Sequence, residues 1–254
     1  MGLGAGCGFC RLVCCLILFI SFLELLTLFF SIRGSPVFDP ITGFGSNGEP
    51  GTYSIPQDTD LTSNRIDPDA FIGCVPDGPF KDYTLHFGPG QLVTDHCLTR
   101  NIRDDSAQFL NSAAMANATR LPTYEEFRIE LEGLPITPTH RMHDGGHYGV
   151  GGEMSNFYSS PGGNIPHYFY FRLLTIYPLD PLFYLHHANL DRVWRMWQTM
   201  LPNRLYEISG RSTIVPPFVN VTLDYPLDMG TLGTTLPIRD VMDIWAAPNC
   251  YTYV

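Results

Sequence analysis

Two short motifs constrain this chain more than anything else in it. The first is "HDGGHYGVGGEM", with His143 and His147 four residues apart. The second is "DPLFYLHHANLDRVWRMWQ", with the adjacent pair His186 and His187. Residues four apart lie on one face of a helix, so His143 and His147 can aim at one point. Asp180 reads as an N-cap, Pro181 as the favoured first helical residue, and Pro202 marks the far end. The second motif therefore predicts a long helix. Leu182, Leu190, Val193 and Trp197 share the side of His186, while Phe183, Asp191 and Trp194 share that of His187. Neutral imidazoles suit copper, zinc, iron or nickel. Three of them on two helices make a trigonal site with positions left open for a small molecule. No carboxylate or cysteine stands in matching register, and the zinc-protease pattern HExxH is absent.

The rest of the chain narrows the setting. Its 254 residues suffice for one domain. The formal charge is −10, and Lys81 is the single lysine. With no basic stripe or tail, nucleic acid is not an expected partner. Glycine (24) and proline (21) are both abundant, which predicts long loops around few helices. Residues 34–103 carry the turn signals "DP", "TGFG" and "SNG", and "KDYTLHFGPG" contains one short alternating piece. "DDSAQFLNSAAMANATR" reads as one helix. "TYEEFRIELEG" reads as another, with a Thr123/Glu126 capping box and Gly133 as its stop. His86 and His96 stand in no ligand-like spacing and read as hydrogen-bonded loop residues.

Residues 1–33 differ from the remainder. The stretch 12–32 is apolar with one charge, Glu24, and is long enough to span a bilayer. It reads as a signal anchor or as translated non-coding sequence. Cys7, Cys10, Cys14 and Cys15 crowd there without the polar partners of a metal module. In an exported chain Cys74 and Cys97 are a candidate disulfide, with Cys250 left over, although pairing is not deducible from sequence. Asn117 and Asn220 begin glycosylation triplets. Export, to the cell exterior or to a membrane through 12–32, is the expected route.

The two motifs together resemble the second copper-binding half of the tyrosinases, the type-3 copper phenol oxidases. "SPVFDPITGFGSNG", "DGPF", "HCLTR" and the tail "IRDVMD…CYTYV" resemble their fungal secreted branch. The resemblance covers roughly residues 34–254, apart from one stretch. It implies a mainly helical fold: half of a four-helix copper bundle wrapped in long loops, with few short strands. It also implies oxidation of mono- or o-diphenols to quinones with dioxygen, leading to melanin. The family holds two coppers with six histidines. Carried over by position, His143, His147 and His187 would hold the second copper, with His186 a neighbour. Asp144 would orient a water that takes the phenol proton, Phe183 would pack beside the substrate, and Glu132 is a candidate for a further water-holding carboxylate. Asp191 and Arg192 read as salt-bridge and packing residues of the helix.

The chain departs from that pattern in two ways. His86, His96, His140 and His167 do not match the first-copper motif, so one copper is expected here against two in an intact relative. His147 and His187 also stand further apart than in the family. Deleting 163–179 joins "YSSPG" to "DPLFYLHH", the family's usual reading, and the flanking residues permit intron signals in the underlying codons. The stretch is therefore expected to be a retained intron. The rival reading is a non-enzymatic, single-copper or inactive membrane-anchored protein.

Overall fold

The computed structural model describes residues 31–158, 179–212, 216–230 and 233–253. The apolar stretch 12–32 lies outside them except for Ser31 and Ile32, as does 163–179 except for Leu179, and His167 falls there too. Among the described residues no helix is long and apolar enough to cross a membrane.

Among the described residues four α-helices carry the fold: α1 (Ser112–Thr119), α2 (Tyr124–Glu132), α3 (Met142–Val150) and α4 (Leu182–Met200). Each begins where a side chain satisfies an amide that the helix itself leaves free. The α1 helix starts at Asn111, whose carboxamide oxygen accepts from the Ala114 amide at 2.9 Å. The Asn111 backbone is extended, so it interrupts the stretch expected as one helix. Residues Asp104–Phe109 form a separate 3-10 run instead. The α2 helix has the Thr123/Glu126 capping box and ends at Gly133. At the start of α4, Asp180 Oδ1 accepts from the Leu182 amide at 3.0 Å, and the Asp180 carbonyl accepts from Phe183.

The helices close a ring of contacts, α1 on α2, α2 on α3, α3 on α4 and α4 back on α1. Inside it Ala118, Phe127, Met142, Leu190, Val193 and Trp197 form one apolar cluster. A fully buried side chain of the larger kinds stabilises by roughly 1.5–3 kcal/mol. The Trp197 ring stacks on Phe127, and its indole N–H donates to the Leu121 carbonyl at 2.8 Å.

Loops wrap this ring. Among the described residues two strand pairs occur, β1 (Thr84–Leu85) with β2 (His96–Cys97), and β3 (Pro226–Leu227) with β4 (Leu236–Pro237), both antiparallel. Thr84 faces Cys97 and Leu85 faces His96. Cys74 and Cys97 are disulfide-bonded, with Cα atoms 5.5 Å apart. Beside them Val75, Leu85 and Leu98 make a small core. The tail returns to the ring, where Tyr251 and Tyr253 each donate a hydroxyl to Asp191 Oδ2 at 2.6 Å.

Candidate metal centre

The α3 helix is built to bring its histidines against α4. Asp144, in the first turn, accepts from the Arg141 amide at 2.8 Å and fixes the helix start. The spacing then puts His143 and His147 on the side that meets α4. Gly146 makes the approach possible, because a Cβ there would lie 2.2 Å from the His186 ring. His186 uses that space to donate its Nε2–H to the His143 carbonyl at 2.8 Å, which staples α4 to α3.

The outcome is a cluster in which His143, His147 and His187 each offer one nitrogen, all within 4.8 Å of one another. Ring centroids are 5.0 Å apart for His143–His147, 5.3 Å for His143–His187 and 5.2 Å for His147–His187. The outer nitrogens decide the tautomers. His147 Nδ1 contacts the Met154 carbonyl at 2.7 Å, and His187 Nδ1 contacts the Phe183 carbonyl at 2.9 Å. A carbonyl only accepts, so each Nδ1 carries the proton and each Nε2 a lone pair. Both Nε2 atoms are buried with no hydrogen-bond partner among the described residues. His143 Nδ1 lies 3.4 Å from Glu132 Oε1 and is also buried without a formed hydrogen bond.

Burial disfavours protonation of His147, His187 and His186. It pushes His147 down to about 3, helped by the neighbouring His143 and His187. It pushes His187 down to about 4, against the opposing pull of the Phe183 carbonyl. His186 lies well below its usual value, first through burial and then through the other three rings. Lone pairs held free and convergent in a site that resists protonation are what a transition-metal ion requires, and the imidazole set suits copper.

The other residues singled out from sequence are placed as follows. Phe183 stacks on His187, centroids 4.0 Å apart. The Asp144 carboxylate serves Arg141 with one oxygen and His140 Nδ1 with the other. Asn117 and Asn220 are exposed. His86 pairs with Asp95 on the surface, and His140 stacks on Tyr148. Among the described residues no second group of three such side chains could hold an ion.

Three features are not visible in the sequence. His96, read as a loop histidine, sits in β2 and contacts Glu153 Oε1 through Nε2 at 3.0 Å, both side chains buried. Burial pulls its pKa down, but the hydrogen bond and charge of Glu153 outweigh that and raise it. Arg100 grips the Asp180 carboxylate with two bonds, Nε at 2.7 Å and Nη2 at 3.1 Å, with both side chains fully buried. Asp191, read as an ion-pair residue of its helix, instead receives the two tail tyrosines. The alternation in "CYTYV" was the available signal, since residues two apart in extended chain share a face.

Residues 33–200 match the model of the common central domain of tyrosinase. Oxidase hkm6 of Aspergillus hancockii is 29% identical over 88% of this chain and 80% of that protein. Tyrosinase P of Aspergillus terreus is 29% identical over 88% of this chain, which spans 64% of it. The solved polyphenol oxidase of Thermothelomyces thermophila, a point mutant, superposes with a TM-score of 0.64 at 26% identity, over 88% of this chain and 63% of that one.

Proposed function

Because the chain belongs to the tyrosinase family, we propose that His143, His147 and His187 hold one copper ion and form the second-copper half of a phenol-oxidising centre. The observation that carries this reading is the pair of buried Nε2 atoms, on His147 and His187, that no protein group among the described residues satisfies. Buried polar atoms are almost always partnered, and orphans that converge mark the place of a ligand. Bound there, copper supplies the electron transfer to dioxygen by which phenols are oxidised to quinones.

The chain's own residues prepare the site for a small phenol. Phe183, stacked on His187, offers a flat apolar surface to an aromatic ring. Two carboxylates adjoin the triad: Asp144 follows His143 in the chain, and Glu132 faces its Nδ1. Either would take the phenol proton through a water. Glu132 is better situated, because both Asp144 oxygens already serve Arg141 and His140. The Cys74–Cys97 disulfide and the two exposed sequons support passage through the secretory route. On this reading residues 163–179 are an insertion between ligands, and 1–33 is a separate leading segment.

A second reading concerns the chain by itself. Type-3 oxidation uses two coppers, and among the described residues none of His86, His96, His140 and His186 is grouped for the other ion. We therefore expect the full chain to bind one copper and to leave catechol unoxidised. Copper titration followed by a quinone assay tests both parts. Quinone formation by the purified chain would overturn the one-copper reading. Failure to bind copper at neutral pH, where the imidazoles are free, would overturn the metal reading. A full-length transcript carrying codons 163–179 in frame would remove the intron reading.

A further inference from the structure

We propose that Glu153 is a positioning residue for the metal centre: clamped by His96, Thr99 and Asn156, it fixes the turn whose Met154 carbonyl orients His147. The inference rests on the triad being a metal site, and it extends that site to a part of the fold that holds no ligand.

His147 is aimed by one bond, from its Nδ1 to the Met154 carbonyl. That carbonyl belongs to a 3-10 turn, Gly152–Ser155, directly after α3. The turn is held from outside. Glu153 Oε1 receives His96 Nε2 at 3.0 Å and Thr99 Oγ1 at 3.1 Å, while Oε2 receives Asn156 Nδ2 at 3.3 Å. The main chain adds its own bonds. The Glu153 amide donates to the Thr99 carbonyl at 3.3 Å, Asn101 to Val150 at 3.0 Å and Arg103 to Gly149 at 2.8 Å. Segment 96–103 is therefore a strap laid along the C-terminal end of α3. It fits that closely because Gly152, with φ +49°, has no Cβ; one would lie 2.0 Å from the Thr99 carbonyl oxygen.

The same strap reaches the other metal-bearing helix. Arg100 grips Asp180, the residue that caps α4 ahead of His187. One segment thus fastens both elements from which the triad is assembled, with Thr99 on one side and Arg100 on the other. Its start is tied down by the Cys74–Cys97 disulfide next to His96.

Packing alone does not call for a carboxylate here. Burying an ion pair opposes folding through desolvation, and apolar residues of similar volume often do as well or better. What a buried, fully bonded carboxylate provides is one fixed geometry, and a ligand's orienting carbonyl needs that.

The test is copper(II) titration and electron paramagnetic resonance of the full chain in four variants beside the unaltered one. Glu153→Leu is expected to weaken copper binding by about tenfold to hundredfold, the range for lost outer-sphere partners, and to change the copper hyperfine pattern. Glu153→Gln keeps acceptor and shape and is expected to restore affinity to within about threefold. Ile238→Ala, which truncates a buried side chain in the tail, is the control for a general loss of stability and should leave the spectrum unchanged. If Glu153→Leu does not fold, Thr99→Val carries the test: it removes one bond to Oε1 and should alter the spectrum with a weaker loss of affinity. Unchanged affinity and spectrum in Glu153→Leu, or in Thr99→Val in its place, overturns the proposal. An unaltered chain that binds no copper removes the metal reading itself, a failure visible before any variant is made.

Discussion

Two sets of buried histidines lie at the end of α3 and have opposite fates. In the triad, His147 and His187 are neutral, and each keeps one nitrogen buried and unpartnered. At the strap, His96 is bonded through both nitrogens, to Thr94 on one side and to Glu153 on the other, and its pKa rises. Both environments exclude water, so burial is not what separates them. The difference is one carboxylate. A ring facing Glu153 gains an opposite charge in a medium that screens it poorly, and protonation is favoured. Rings facing one another repel if they protonate, and at His187 the pull of the Phe183 carbonyl and of Glu132 does not outweigh burial. A buried histidine with a lone pair and no partner is thus a ligand in waiting, and a buried histidine on a carboxylate is a fastener.

Substitution by leucine should separate the two most sharply in metal binding. His147→Leu and His187→Leu each remove a proposed ligand and are expected to weaken copper binding by more than the roughly hundredfold that outer-sphere changes reach. His96→Leu leaves the ligands in place and should stay within that range. Isothermal titration of the three variants decides it; equal losses would erase the distinction.

Stability of the metal-free chain should reverse that order. His96→Leu breaks the buried pair with Glu153, and a loss of about 3–5 kcal/mol is expected. His187→Leu replaces an unsatisfied nitrogen with apolar surface and is expected within about 1 kcal/mol of no change. Urea unfolding in the presence of a chelator reads both. A large loss at His187 would mean that its ring is held by something other than a metal.

The pH dependence follows from the directions of the shifts. His147 and His187 have folded values of about 3 and about 4, below the unfolded 6.5. The unfolded chain therefore binds more protons between those values. Metal-free stability should fall as pH drops below 6.5, by up to about 1.4 kcal/mol per pH unit for each ring. His96 is raised instead, so its contribution is complete below 6.5 and is lost as pH climbs through its folded value. His96→Gln should flatten the alkaline limb alone, and the double leucine variant of the triad the acid limb alone. The smallest effect is expected at His86. Its pair with Asp95 is largely exposed, and His86→Gln should leave the melting temperature unchanged within measurement.

Legibility from sequence followed the range of the interaction. The α4 helix was readable because its signals are local: Asp180 and Pro181 at one end, Pro202 at the other, and an apolar stripe that includes Val193 and Trp197, both fully buried. The α2 capping box was readable for the same reason. The stretch 104–120 was misread because its composition is helical throughout, while one extended residue, Asn111, divides it. His96 and Glu153 were unreadable, since 57 positions separate them and neither belongs to a periodic pattern. Arg100 and Asp180 are 80 apart, and Asp180 looked complete as a cap.

By itself, then, the amino-acid order determined which atoms are available. It supplied two helical turns bearing imidazoles, the caps that start them and the resemblance that names their chemistry, all encoded within a few residues of one another. Only the tertiary structure decided which imidazoles are free and which are spent. That choice depends on what each ring is packed against, and a ring's neighbour in space leaves no mark beside it in the chain.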